Sequence, residues 1–312
     1  MLSRVADSLY WMSRYMERSD GILRMLKTNY AYSQDDGTDF SWRSMLNIFS
    51  DGTEEQINQI ITQSNREVLK YLITDKNNCN SVLNIISNAR ENARSVQDNV
   101  TKELWQCLND YYHTIRDSHL TQSIQYDDPI SVIDDLIRQG LYYYGTTEIT
   151  MPRGEGYYFI NLGKFLERTI QSVDTLDVKL RELDYSLETS EDPTYWKYLL
   201  LSISGYEIFL KSYRSVLEPK NVIDQIIWNN SFPRSILYSV TRLKQSFETI
   251  KSDKSIESYQ TVSFMIGKLH ANIKYTDMAD LERIGFKKYL QSTKQELLAI
   301  GNALNHYYFA SK

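Results

Sequence analysis

Apolar residues recur every three to four positions along nearly the whole chain. Val5, Leu9, Met12, Met16, Leu23 and Leu26 fall on one side of a helix read over residues 2–31. A polar loop over 33–39 follows, and the same spacing predicts shorter helices over 40–50 and 53–74, parted by Asp51-Gly52. Further helical segments read as 80–97 and 98–116, which can run together, with a loop at 117–127. Asp128-Pro129 opens the next helix, because aspartate caps the free N–H groups and proline suits the first helical position. That helix ends near residue 147. Pro152, Gly154 and Gly156 make the most turn-rich stretch, and a second long helix is read over 155–185. Asp192-Pro193 starts a helix to about 217. Glu218-Pro219 and Phe232-Pro233 mark two more starts, and 254–275 with 277–310 forms a closing hairpin. Five prolines and twelve glycines are too few to punctuate strands with tight turns, whereas long helices need little, so the expectation is an all-α bundle of roughly ten helices.

The chain also resembles itself. Residues 9–19 align with 159–169 at an offset of 150: Glu17-Arg18 matches Glu167-Arg168, and Arg14 matches Lys164. A weaker block sets Val82-Leu83 and Ile86 against Val222-Ile223 and Ile226, and Arg94-Ser95-Val96 against Arg234-Ser235-Ile236, at an offset of 140. Two blocks in one order predict a tandem duplication, with repeats of about 1–148 and 149–312 forming one domain over 1–312 and related by a pseudo-two-fold axis.

The first long helix is apolar around most of its girth, since Trp11, Tyr15, Ile22 and Met25 lie off the main stripe. That is the mark of a buried central helix. Arg14, Glu17 and Arg18 take the remaining sector. Glu17 can pair with Arg14 three residues away, whereas adjacent Glu17 and Arg18 point about 100° apart. Arg18 therefore looks for a partner elsewhere, and duplication would let Glu17 meet Arg168 and Glu167 meet Arg18. One reading is a set of structural ion pairs that hold the halves in register. The other is a pocket between the halves for an anionic group, since four bases face two acids.

Composition narrows the classes. The 312 residues are 42% hydrophobic and 24% charged, enough for a proper core. The net charge of −5 is dispersed, with no basic run, which gives no support for a nucleic-acid partner. The start carries Asp7 and Arg14 where a secretory signal needs an apolar core, and no run of apolar residues is long enough to span a membrane. Two cysteines, Cys79 and Cys107, make no disulfide framework and are expected as reduced core residues, which points to the cytoplasm.

Other candidate chemistry is sparse. Arg90, Glu91 and Arg94 share one helical run and, with Arg234, either extend a basic pocket or form a solvated face. Arg153-Gly154-Glu155-Gly156 sits at a helix start, where free N–H groups favour anions; it is a candidate functional loop or a simple capping turn. The histidines, His113, His119, His270 and His306, have no metal-ligand spacing, so no metal and no cofactor are expected. No phosphate-binding glycine loop and no nucleophile elbow occur. The 24 tyrosines are expected mostly in the core.

The opening Met-Leu-Ser-Arg-Val-Ala, the Leu-Tyr-Trp-Met and Arg-Tyr-Met-Glu-Arg that follow, the 89–96 block, the 151–157 block and Phe232-Pro233-Arg234-Ser235 resemble the alpha-E domain family, a bacterial helical family named for its Glu-Arg motif. The resemblance covers essentially the whole chain. Lys164 stands where the family usually has Arg, and Tyr157 where Trp is expected; a lysine cannot grip an oxyanion bidentately. Family members resemble parts of a system that also encodes a circularly permuted ATP-grasp ligase and a transglutaminase-like protein. The resemblance thus implies a role in ATP-dependent amide-bond formation on a peptide or small metabolite, and the excess of bases would suit an anionic one. The favoured expectation is a non-enzymatic accessory or substrate-binding subunit. The alternative is an enzyme that uses Glu17, Glu167 or Glu155 as general acid or base, but a carboxylate among several arginines has its pKa pushed down and makes a poor base.

Overall fold

The computed structural model describes residues 1–34, 42–50, 52–187, 193–214, 217–250 and 256–309. Among them the chain is all-α, with sixteen α-helices and no strand. The chain divides into two compact units, Trp11–Pro152 and Met1–Tyr10 with Arg153–Lys312. The first helix, α1 (Ser3–Tyr32), gives its opening residues to one unit and the rest to the other.

The Trp11–Pro152 unit continues with α2 (Arg43–Phe49), α3 (Glu54–Ile61), α4 (Asn65–Ile73), α5 (Val82–Ser95), α6 (Lys102–Arg116), α7 (Ser118–Tyr126) and α8 (Pro129–Thr150). Side-chain caps explain most of these starts. Thr53 and Gln56 form a reciprocal capping box on α3, while Ser64, Ser81 and Thr101 each accept from the backbone N–H three residues on. Asp128 accepts from the amides of Ile130 and Ser131, with Pro129 at the first position of α8, as the sequence predicts. Helix α6 packs on both α5 and α8, and α7 lies against α4 and α8. Leu72, Ile86, Leu104, Leu108, Ile133 and Leu136 are fully buried there.

The other unit contains α9 (Glu155–Glu182), α10 (Pro193–Ser202), α11 (Tyr206–Ser212), α12 (Pro219–Ile227), α13 (Ile236–Thr249), α14 (Ile256–Lys274), α15 (Met278–Ile284) and α16 (Phe286–Leu304), closed by a π-turn at Asn305–Phe309. Of the 28 residues of α9, eighteen are buried, so it is the central helix of this unit, with α12, α13 and α16 packed on it. Gly156 lets the N-terminal residues approach: a methyl group there would stand 3.2 Å from Leu9 Cδ1 and Met1 Cε.

The excess over ten helices has a physical cause. Apolar periodicity persists across short breaks that caps enforce. The 53–74 segment is cut by the Ser64 cap. A short 3₁₀ turn at Gln97–Asn99 and the Thr101 cap keep α5 and α6 apart. Residues 117–127 are not a loop, because Asp117 caps α7. Ser204, at φ 56°, ends the helix that the sequence extends to 217. Gly285, at φ 92°, divides α15 from α16 in a conformation that a side chain strains. Helix α13 starts after Ser235 rather than at Pro233. The Asp192 cap, residues 35–39 of the first loop, the first two residues of the helix read over 40–50 and the ends of several other elements lie outside the described residues.

Cys79 is exposed and Cys107 half-buried, and the two form no disulfide with each other. Neither is the core residue expected, since Cys79 sits in the polar turn before α5. No helix among the described residues is long and apolar enough to cross a membrane.

Candidate functional site

The Glu-Arg doublets lie midway along the two longest helices. On α1, Glu17 is 0% exposed and its Oε2 accepts a 2.6 Å hydrogen bond from the Tyr144 hydroxyl of α8. One turn on, Asp20 is 2% exposed and pairs with Arg24 at 2.9 Å. Burial works against the Arg24 charge, but Asp20, Tyr144 and Glu17 outweigh it and raise the guanidinium above its ordinary pKa. Ser19 and Tyr111 join by a buried 3.0 Å bond. Burial pushes the phenols of Tyr111 and Tyr143 well above the ordinary tyrosine range. Arg14 lies over the Trp11 ring at 4.6 Å, and Arg18 is half-buried.

The remaining candidates of this unit form a separate network on α5 and α6. Arg90 donates to Asn109 at 2.9 Å and to Glu91 at 2.8 Å, and stacks over Tyr112 at 4.5 Å and Trp105 at 5.4 Å. Arg94 pairs with Glu91 at 3.3 Å, and both are exposed. An arginine held by an amide, a carboxylate and two rings is a packed surface clamp.

On α9, Glu167 is 2% exposed. Arg168 donates through Nη1 to the Pro233 carbonyl at 3.3 Å, and the Ser172 hydroxyl donates to the carbonyls of Arg168 at 3.0 Å and Arg234 at 2.8 Å. The main chain at Pro233 and Arg234 therefore lies against α9 beside Arg168 and Ser172. Three cations surround the buried Phe165 ring: Lys164 at 4.6 Å, Arg168 at 5.5 Å and Arg242 at 5.7 Å. Tyr238 of α13 meets the same ring edge-on. Arg153 and Glu155 stand apart from this cluster. They lie at the start of α9, about 18 Å along the axis from Glu167 at 1.5 Å per residue. Arg153 covers the Tyr157 ring at 4.1 Å, and Glu155 accepts from the Met1 amino group at 2.8 Å.

Several residues in these sites escaped the sequence reading. Tyr144 belongs to a tyrosine run that reads as core, yet Tyr142 is exposed, Tyr143 is buried and Tyr144 caps a carboxylate. Arg242 sits one helical turn after Tyr238 on α13, a spacing visible in the sequence. Asp174 of α9 pairs with Lys294 of α16 at 2.6 Å, but burial still holds its carboxyl above the ordinary range. The i, i+4 pair Asp20–Arg24 was also readable.

A buried glutamate followed by a half-buried arginine, in the middle of a long central helix, is the feature that a family signature would record. The chain belongs to the Alpha-E family. The family model, described as a predicted alpha-helical domain with a conserved ER motif, matches residues 1–309. No curated protein and no solved structure matches the chain. An Alpha-E chain thus carries its Glu-Arg doublets in two environments. Glu17-Arg18 and Glu167-Arg168 have buried carboxylates. A third doublet, Glu282-Arg283 on α15, is open to solvent and pairs with Lys220 and Asp280. Among the described residues no cluster of three His, Cys, Asp or Glu could hold a metal ion.

Proposed function

We propose that this Alpha-E chain is an accessory, substrate-binding subunit of a cytoplasmic amide-bond-forming system, working with a circularly permuted ATP-grasp ligase and a transglutaminase-like protein. The observation that carries the non-catalytic part is the state of its carboxylates. Glu17 is fully buried with its Oε2 already accepting the Tyr144 proton, Glu167 is 2% exposed, and Glu155 is engaged by an ammonium. A general base must reach the proton it removes, within hydrogen-bond distance of substrate. The ligase partnership rests on the family resemblance. Co-purification from native cells tests it: an ATP-grasp ligase should elute with the chain, and amide formation should need the ligase. Amide formation by the chain alone would overturn it.

The substrate-binding part draws on the cations around Phe165. Lys164, Arg168 and Arg242 present three positive groups from α9 and α13 within 6 Å of one ring. Such a face suits a phosphate or a peptide carboxylate. Calorimetry with phosphate and an acidic peptide should show saturable binding that Arg242→Ala weakens at least about tenfold, or about 1.4 kcal/mol. No binding at millimolar concentration would make the cluster scaffold.

We further propose that the chain arose by duplication. Support comes from α5 and α13, each of 14 residues and each capped by a serine that accepts from the third following amide. Helix α5 packs on α6 and α6 on α8, just as α13 packs on α14 and α14 on α16. Equating Ser81 with Ser235 gives an offset of 154, closer to the first block than the 140 of the weaker sequence match. Superposing α5, α6 and α8 on α13, α14 and α16 tests this; helices that run in different directions would end the idea.

A further inference from the structure

The Trp11–Pro152 unit holds an open cleft of about 770 Å³ between α3 and α4, within the ~300–1,000 Å³ usual for ligand sites. Its walls follow helix periodicity. Gln56, Gln59, Ile60 and Gln63 lie at i, i+3, i+4 and i+7 on α3 and the residues after it, and Glu67, Lys70, Tyr71 and Thr74 repeat that spacing along α4. Residues so spaced share one face. Two neighbouring helices normally close such faces on each other with apolar side chains. Here the faces are polar and stand open. Helix α3 buries a single residue, Ile57.

The chemistry of the walls excludes several occupants. A docked helix needs a row of apolar anchors, and the cleft offers Ile60 and the ring of Tyr71. A nucleic acid needs excess positive charge, whereas Lys70 and Lys76 are matched by Glu67 and Asp75. What the cleft has in quantity is primary carboxamide: Gln56, Gln59, Gln63 and Asn77. Gln56 uses its Oε1 on the Thr53 amide. Gln59, Gln63 and Asn77 are exposed and keep their side-chain amides for solvent or a ligand. Each presents a donor and an acceptor side by side, which is the complement of a backbone peptide group. A sugar ring would call for broad aromatic platforms, and Tyr71 is a single ring tied by its hydroxyl to Ser50 at 2.8 Å.

We propose that the α3–α4 cleft binds an extended, uncharged peptide segment through the carboxamides of Gln59, Gln63 and Asn77. Main-chain hydrogen bonds supply the affinity, so sequence preference is weak and confined to the places near Ile60 and Tyr71. The inference rests on the cleft alone and is independent of the ligase and of the anion face.

The test is NMR of the whole chain, following side-chain NH₂ signals while acetylated, amidated neutral hexapeptides are added to millimolar concentration. Saturable shifts confined to Gln59, Gln63 and Asn77 are expected, and the Gln59→Ala/Gln63→Ala variant should bind at least about tenfold more weakly. Both positions are exposed, so the variant keeps its fold, which circular dichroism verifies. Unmoved signals, equal binding by the variant, or shifts produced by a neutral hexasaccharide and not by the peptides would each overturn the proposal.

Discussion

The two long helices carry the same doublet and treat it differently. On α1 the buried Glu17 is satisfied by a phenol from α8, and a second carboxylate, Asp20, follows one turn later with Arg24. On α9 the arginine arm of the doublet reaches a main-chain carbonyl, cations crowd the Phe165 ring, and the next carboxylate, Asp174, meets Lys294 from α16. One unit thus builds an enclosed hydrogen-bond network and the other a cationic face. The doublet itself fixes neither outcome. The neighbouring helices offer different groups: Tyr144 of α8 to Glu17 in one unit, and Arg242 of α13 with the Pro233 carbonyl around Phe165 and Arg168 in the other.

Removing the carboxylates is the strongest way to break this comparison. Glu17→Ala takes the acceptor from the Tyr144 hydroxyl and Glu167→Ala removes a carboxylate that is 2% exposed, and each should cost on the order of 3–5 kcal/mol. Chemical denaturation measures this, and a loss under about 1 kcal/mol in either variant would remove that doublet from the core. Tyr144→Phe sharpens the contrast, because the bond it removes to Glu17 lies within one unit. Losing a hydrogen bond to a charged acceptor should cost about 1.5–3 kcal/mol. Hydrogen exchange should localise the loosening to α1 and α8, with α9 and α13 unchanged.

The α-helical class and the central character of the long helices were legible because apolar periodicity sustained over some thirty residues fits a helix buried on most sides and fits no strand. Element number was not legible at Ser64, Thr101 and Asp117, where one polar residue stops a helix whose periodicity carries on. Most of what completes the sites was hidden for another reason. Tyr144 lies 127 residues from Glu17, and only packing selects it over Tyr142 and Tyr143. Arg153 and Glu155 stand at the start of the helix that carries the second doublet. The rise of that helix sets them apart from it.

Two smaller effects probe the difference further. Tyr111→Phe removes the buried neutral bond to Ser19 and should cost about 0.5–1.5 kcal/mol by denaturant titration. Asp174→Asn should cost least and reverse in sign with pH. Burial raises the folded-state pKa of Asp174 above its unfolded value, so its ionisation opposes folding, and the penalty grows as pH rises through the carboxylate range. The variant should therefore gain stability relative to the native chain between acid and neutral pH. A relative loss over that interval would show that the pair with Lys294 dominates.

The central claim is that the buried glutamates support structure and do no proton transfer. The direct measurement is the turnover of the ligase system reconstituted with a Glu17→Gln/Glu167→Gln chain, which keeps shape and hydrogen bonding but removes basicity, normalised to folded protein. The account predicts a kcat within about twofold of the native system. A loss of about 10²-fold or more at unchanged KM, the size expected for removing a general base, would contradict it.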